Sequence, residues 1–223
     1  MKAAKSPAKP ARVLIVDDHP MTRMGLVHLI ASQSDLTVCA EAETAADALS
    51  AVVKTEPDLV LADITLPDKS GIELIKDIKA VRPLLPVLVI SMHDESLYAE
   101  RALKAGAAGY IMKVAGAEKL MDAIRHVLGG EVYVSAKVSA RILKNMNGRA
   151  GQRGGHPVES LSDREFEIFR LIGQGIATRD IGERLHLSAK TVEAHRMNIK
   201  AKLGIDTAAE LISYAARWMA ESG

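Results

Sequence analysis

The chain has one cysteine in 223 residues, so no internal disulfide can staple it. That residue, Cys39, lies in the apolar run from Leu36 to Ala40 and reads as a buried small hydrophobe in a reducing compartment. No apolar run approaches the roughly 20 residues that a membrane-spanning helix needs. The opening Met-Lys-Ala-Ala-Lys-Ser-Pro-Ala-Lys-Pro has no apolar segment of the kind a secretory leader carries, and residues 1–10 read as a disordered basic tail. Charge of one sign is also lacking, since the net charge is +1. The balance hides an asymmetry: residues 1–130 hold 15 Lys/Arg against 17 Asp/Glu, and residues 131–223 hold 14 against 11. An acidic site in the first part and a polyanionic partner for the second fit that direction. The 48% hydrophobic content is enough for a real core in one large or two ordinary domains.

Short apolar runs alternate with helical periodicity through the first 130 residues. Val13 to Val16 reads as a strand that ends on Asp17-Asp18. Pro20 opens a helix with Leu26, Leu29 and Ile30 on one side, ending near Ser32. Leu36 to Ala40 is a second strand, and Thr44 caps a helix carrying Ala48, Leu49 and Val52. Leu59 to Leu61, bounded by Pro57 and by the turn residues Pro67 to Gly71, is a strand buried on both faces that leads to Asp63. Ser70 starts a helix closed by Pro83, Val87 to Ile90 is a strand followed by Ser91, and Tyr110 to Met112 is a fifth strand ending at Lys113. A last helix near Ala117 to Leu128 stops at Gly129-Gly130. Five strand and helix pairs predict a flavodoxin-like, doubly wound α/β domain with a five-stranded parallel sheet over residues 11–130.

In such a sheet the carboxyl ends of the strands share one crevice. Asp17, Asp18 and Asp63 would meet there, and three close carboxylates are tolerable only with a cation. Hard oxygen ligands and water suit Mg2+. Asp63 can then accept a phosphoryl group, with Lys113 neutralising charge and the Ser91 hydroxyl meeting a phosphoryl oxygen.

Beyond residue 130 the pattern changes. Residues 131–158 read as a linker with a possible helix over 135–146 and a flexible glycine-rich stretch over 147–155. Ser162 with Glu165 three residues on is a capping box, and Phe166, Phe169, Leu171 and Ile172 give that helix an apolar face. Helices over 178–185 and 188–203, joined only by His186-Leu187, read as a helix-turn-helix. Val192, Ile199 and Leu203 face inward on the second, turning Lys190, Glu193, Ala194, Met197 and Lys200 outward as a reading face. A final helix from Thr207 carries Leu211, Ile212, Ala215 and Trp218; Trp218 can serve either pairing of subunits or as a lid on the small core. Residues 159–223 thus predict a small all-α, four-helix domain.

Asp17-Asp18, Asp63 with Leu66-Pro67 and Gly71, Ser91, and Gly109-Tyr-Ile-Met-Lys113 closely resemble the receiver domain of two-component response regulators. Leu161-Ser-Asp-Arg-Glu165, Ile181-Gly-Glu-Arg-Leu185, Lys190-Thr-Val-Glu-Ala-His195 and Lys202-Leu-Gly204 resemble the LuxR-type DNA-binding domain. Together the chain resembles the NarL/FixJ family of response regulators. The resemblance implies that Asp63 is phosphorylated by a sensor histidine kinase. It implies that Asp18 and Asp63 bind Mg2+ directly, Asp17 through water and Thr65 through its backbone carbonyl, and that Ser91 and Tyr110 form a switch pair. It places Lys190, Glu193, Ala194 and Met197 toward base edges of promoter double-stranded DNA, and Arg179, Thr191, Arg196 and Lys200 toward phosphates, with His195 a packing residue. It further implies a cytoplasmic homodimer when phosphorylated or DNA-bound, with no membrane partner and no enzymatic turnover beyond the receiver's own phosphoryl transfer and dephosphorylation. Val114 departs from the family, where proline is frequent after the lysine. Two rivals are a Mg2+-dependent phosphoaspartate phosphohydrolase and a phosphorylation-independent regulator. The first is disfavoured by Asp63-Ile-Thr65, which lacks a second acid two residues on, and the second by the complete set of pocket residues.

Overall fold

The computed structural model describes residues 9–148 and 157–222. It divides into two compact units, residues 1–135 and 136–223. In the first, the order is β1 (Ala11–Val16), α1 (Pro20–Ala31), β2 (Leu36–Ala42), α2 (Ala45–Thr55), β3 (Leu59–Ala62), α3 (Gly71–Val81), β4 (Val87–Ser91), α4 (Glu95–Lys104), β5 (Gly109–Met112) and α5 (Ala117–Leu128). All pairings among the five strands are parallel and the sheet order is β2-β1-β3-β4-β5, so the doubly wound expectation holds.

Burial on both faces explains the run of apolar residues in each central strand. Leu59, Val60, Leu61 and Ala62 of β3 are all fully buried. Val13, Ile15, Leu59, Leu61, Leu88 and Ile111 form one core with Leu26 and Ile30 of α1 and Leu120, Ile124 and Val127 of α5. Side chains alternate across a strand, so Leu14, Val16, Val60 and Val89 point to the other face and are buried as fully. The helix starts follow local chemistry. Thr44, Ser70 and Asp94 each accept from a backbone N–H in the first turn of α2, α3 and α4. Helix α1 has no such side chain and opens on Pro20, whose ring presets the backbone angle.

Two local expectations need correction. Cys39 is half-buried rather than enclosed, with its sulfur 3.6 Å from the Thr55 hydroxyl, because β2 is an edge strand that presents part of its length to solvent. The first unit also extends past residue 130. The Tyr133 carbonyl accepts from the Tyr110 N–H, and the Tyr133 N–H donates to the Ala108 carbonyl, so Tyr133 pairs beside β5 within a unit that runs to residue 135. A side chain on Gly109 would bring its Cβ to 2.6 Å from that same carbonyl of Tyr133, which only glycine avoids.

The second unit begins with α6 (Ala136–Gly148), close to the helix expected over 135–146. Residues 149–156, which take in most of the expected flexible stretch, lie outside the described residues, as do residues 1–8 of the expected tail. Helices α7 (Asp163–Gly173), α8 (Thr178–Arg184), α9 (Ala189–Leu203) and α10 (Ala208–Ser222) follow. Phe166, Phe169, Ile172, Ile181, Val192, Ile199, Leu211 and Ala215 close the core. The Trp218 ring packs edge-on against Phe166 and Phe169, with centroids 5.5 and 5.7 Å apart, so it lids this core. Ile212, by contrast, is 45% exposed.

Candidate functional site: an acidic pocket and a helix-turn-helix face

Strands β1 and β3 are neighbours in register, Val16 opposite Ala62. Their next residues, Asp17 and Asp63, therefore emerge side by side at the carboxyl edge of the sheet. Asp17 is fully buried and Asp63 is 5% exposed. Lys113, directly after β5, reaches both: its Nζ lies 2.6 Å from Asp17 Oδ2 and 2.6 Å from Asp63 Oδ2. Asp63 Oδ1 accepts from the Ile64 N–H at 2.6 Å, and Asp17 Oδ1 accepts from the His19 N–H at 2.9 Å.

Burial pushes the Asp63 carboxyl above its ordinary range, and the Lys113 ammonium only partly offsets this while Asp17 reinforces it. Burial alone would lower Lys113, but Asp63 and Asp17 outweigh it and the ammonium is held above its usual value. Asp18 brings a third carboxylate, and ligand atoms of Asp17, Asp18, His19 and Asp63 all lie within 4.8 Å of one another. Three carboxylates against one ammonium leave a net negative pocket, and a hard divalent cation suits such an oxygen donor set. The residues present therefore fit Mg2+.

Ser91 ends β4 and is buried, its Oγ accepting from the His93 N–H at 3.1 Å. Tyr110 on β5 is also buried, and its hydroxyl donates to the His93 carbonyl at 2.9 Å. Burial pushes the Tyr110 phenol well up, so it stays a neutral donor. Ser91 and Tyr110 thus converge on one residue. The His93 ring lies 3.0 Å from the Thr65 hydroxyl and stacks on Tyr98 of α4 at 4.9 Å. Thr65 and His93 accordingly meet over the loop that follows Asp63. No cis peptide occurs among the described residues, so the Lys113-Val114 bond is trans.

In the second unit α8 and α9 are joined through Leu185, His186 and Leu187, with His186 in the left-handed region at φ 53°. Ser188 caps α9 by accepting from the Thr191 N–H. Lys190, Thr191, Glu193, Ala194 and Met197 are exposed on α9, and Arg179 on α8, as the helical spacing requires. Five members of the expected set are engaged within the fold, however: Arg179 Nε donates to Glu183 Oε1 at 3.1 Å and the Thr191 hydroxyl lies 2.7 Å from that of Ser188. Arg196 donates to the Thr178 hydroxyl at 2.6 Å, that hydroxyl donates to Glu193 Oε1 at 2.9 Å, and Lys200 donates to the Asp206 carbonyl at 3.1 Å. Periodicity places a side chain on a face but does not show that its end group is already bonded. His195 is partly buried.

Residues not anticipated include His19, whose Nδ1 is 2.6 Å from Asp18 Oδ1, and Asp68, whose carboxylate accepts from the Ala45 and Ala46 N–H groups. Asp68 thereby ties the loop after Asp63 to the start of α2. His19 was findable as the neighbour of the Asp17-Asp18 pair; nothing local marks Asp68, whose partners lie more than 20 positions away.

A parallel doubly wound sheet with this pocket at its carboxyl edge, and a separate helix-turn-helix unit, define a receiver joined to a DNA-binding module. Models of the response regulator receiver domain and of bacterial regulatory proteins of the luxR family match residues 13–125 and 159–215. The chain belongs to the two-component response regulators that carry a LuxR-type domain, a family of DNA-binding transcriptional regulators. It is 36% identical over 208 residues to the oxygen regulatory protein NreC of Staphylococcus aureus (strain JH9), covering 92% of this chain and 96% of that protein. A LuxR-family two-component response regulator from Aurantimonas sp. SI85-9A1 aligns at TM-score 0.58 and 35% identity over 62% of this chain and 99% of that one. RcsB from Salmonella enterica serovar Typhimurium, bound to promoter rprA in the presence of a phosphomimetic, aligns at TM-score 0.61 and 26% identity over 93% and 99%.

Proposed function

We propose that a sensor histidine kinase phosphorylates Asp63 and that this switches the receiver and controls dimerisation and binding to promoter DNA. The observation that carries the reading is the single ammonium of Lys113 at 2.6 Å from both Asp17 and Asp63 on a pocket that three carboxylates leave net negative. Asp18 and Asp63 would hold Mg2+ directly, Asp17 through water and Thr65 through its backbone carbonyl, and the bound ion would supply charge neutralisation for the phosphoryl oxygens.

Asp63 contributes a carboxylate oxygen that forms the new O–P bond as the N–P bond of the kinase phosphohistidine breaks, the imidazole leaving with a proton from solvent. Lys113 is placed to pass from Asp63 Oδ2 to the incoming phosphoryl oxygen. Ser91 is placed to turn its hydroxyl from the His93 N–H toward the same group. That movement releases the loop on which the Tyr110 hydroxyl is also bonded, so the aromatic ring and α4 can shift together. The chemistry is confined to the receiver's own phosphoryl transfer and dephosphorylation, in the cytoplasm. No helix among the described residues is long and apolar enough to cross a membrane.

Incubation with Mg2+ and a small acyl phosphate should add the mass of one phosphoryl group to the wild type and none to Asp63→Asn. An unmodified wild type would remove the phospho-switch reading.

In the second unit Lys190, Arg179 and Thr191 remain the outward candidates for phosphates, and Ala194 and Met197 for base edges. Arg179, Thr191, Glu193, Arg196 and Lys200 take part by exchanging their present bonds for DNA. Lys190→Ala should reduce the slope of log K against log salt by about 1 in a gel-shift series, as expected for one lost phosphate contact. An unchanged slope would place the interface elsewhere. Ile212, left exposed on α10, supports pairing of two copies through that helix.

A further inference from the structure

Helix α1 starts beside the acidic pocket without a side-chain cap, and its first turn carries a residue that phosphoryl transfer has not yet accounted for. Arg23 is a charged side chain only 12% exposed. Its Nη1 donates to the backbone carbonyl of Asp17 at 2.7 Å, its Nε to Glu41 at 3.2 Å and its Nη2 to Glu43 at 2.6 Å. Glu41 belongs to β2 and Glu43 to the loop leading into α2, so the guanidinium is anchored on two carboxylates of an adjacent segment while it grips the end of β1.

The atom it grips matters. The carbonyl of Asp17 and the amide of Asp18 share one rigid peptide plane. Asp17 is already held at its own amide, which donates to the Ala42 carbonyl at 3.1 Å, and at both carboxylate oxygens, by His19 N–H and Lys113. Arg23 bonds the carbonyl of the Asp17–Asp18 plane, and that plane, together with the rotation about the Asp18 N–Cα bond, sets the direction in which the Asp18 side chain leaves the backbone. We infer that Arg23 is a positioning residue for the divalent-cation site, aiming Asp18 through the peptide that joins it to Asp17. The inference rests on the reading of this pocket as a Mg2+ site. Arginine suits the task because its donors are fixed in a planar fork and can address a carbonyl and two separate carboxylates at once; a lysine ammonium carries the same charge on a flexible stem without that geometry.

Wild type, Arg23→Lys and Arg23→Ala, all as the full chain, are titrated with Mg2+ by calorimetry, and metal-free urea midpoints are measured in parallel. The Mg2+ dissociation constant should rise about tenfold or more in both variants, the range seen when a group that orients a metal ligand is lost. The loss in Arg23→Lys separates orientation from charge, and that variant carries the test if Arg23→Ala does not fold. Wild-type Mg2+ affinity in the folded variants, whatever their urea midpoints, overturns the role of Arg23 alone. A wild type that takes up no Mg2+ overturns the pocket reading, and the inference with it.

Discussion

Gly71→Ala is expected to destabilise the first unit by about 3 kcal/mol and to damage the pocket at the same time. A Cβ on residue 71 would lie 2.1 Å from the carbonyl oxygen of Asp63 and 2.7 Å from the Cα of Ile64, both main-chain atoms that cannot swing aside. The Gly71 N–H also donates to the Ile64 carbonyl at 2.6 Å, so the start of α3 is pressed against the first residues of the loop after β3. Relief requires opening the loop over 64–70, and overpacking of this kind costs roughly 1 to 3 kcal/mol or more. The peptide that must move belongs to Asp63, so Mg2+ affinity should fall beyond any effect of stability. Urea unfolding with a Mg2+ titration reads both. A variant with wild-type midpoint and affinity would mean that the loop yields freely.

A comparable loss is expected at Arg164→Met in the second unit. Arg164 is 7% exposed; its Nη1 pairs with Glu167 at 2.8 Å and its Nη2 donates to the Leu185 carbonyl at 2.7 Å, where α8 gives way to the turn before α9. Removing it leaves Glu167, 2% exposed, without that cation, and breaking one side of a buried pair costs about 3 to 5 kcal/mol. Burial raises the Glu167 carboxyl to about 7 from 4.5 even though Arg164 and Arg170 pull it down; Asp163 adds to the rise. Between those two values the folded state holds more protons than the unfolded one, so this group's contribution favours folding in acid and is lost as pH rises through about 7. Without Arg164 the folded value moves higher still. The penalty of Arg164→Met should therefore be larger above neutrality than in mild acid, and Glu167→Gln should flatten the pH dependence. A penalty independent of pH would show that Glu167 finds another cation. DNA affinity should fall with Arg164→Met even under folding conditions, because the Leu185 carbonyl marks the turn that aims α9.

Much of the first unit was legible because parallel strands buried on both faces must be apolar throughout. Such runs were broken at their carboxyl ends by Asp17, Asp63, Ser91 and Lys113, and in a doubly wound sheet those ends share one crevice. Caps at Thr44 and Ser162 were legible for a related reason, since each acts on a backbone N–H three residues away. The return of Tyr133 to the side of β5 was not. Its pairing is made by backbone groups after a glycine turn, and backbone bonds carry no side-chain signature.

The helix-turn-helix face shows the same division. Spacing alone put Val192 and Ile199 inside and Lys190 and Met197 outside. It could not show that Arg196, Glu193 and Thr178 bond one another, because Thr178 approaches them only after α8 and α9 have packed.

By itself, then, the amino-acid order determined the elements, the two-part organisation and the identity of the acidic set, all of which follow from periodicity and from bonds made within a few residues. Only the tertiary structure decided that one ammonium bridges Asp17 and Asp63, that Arg23 donates to the Asp17 carbonyl while held by Glu41 and Glu43, and that Arg164 reaches the Leu185 carbonyl. Those contacts join residues up to 96 positions apart, and a side chain's reach and direction are settled only once the elements that carry it have packed.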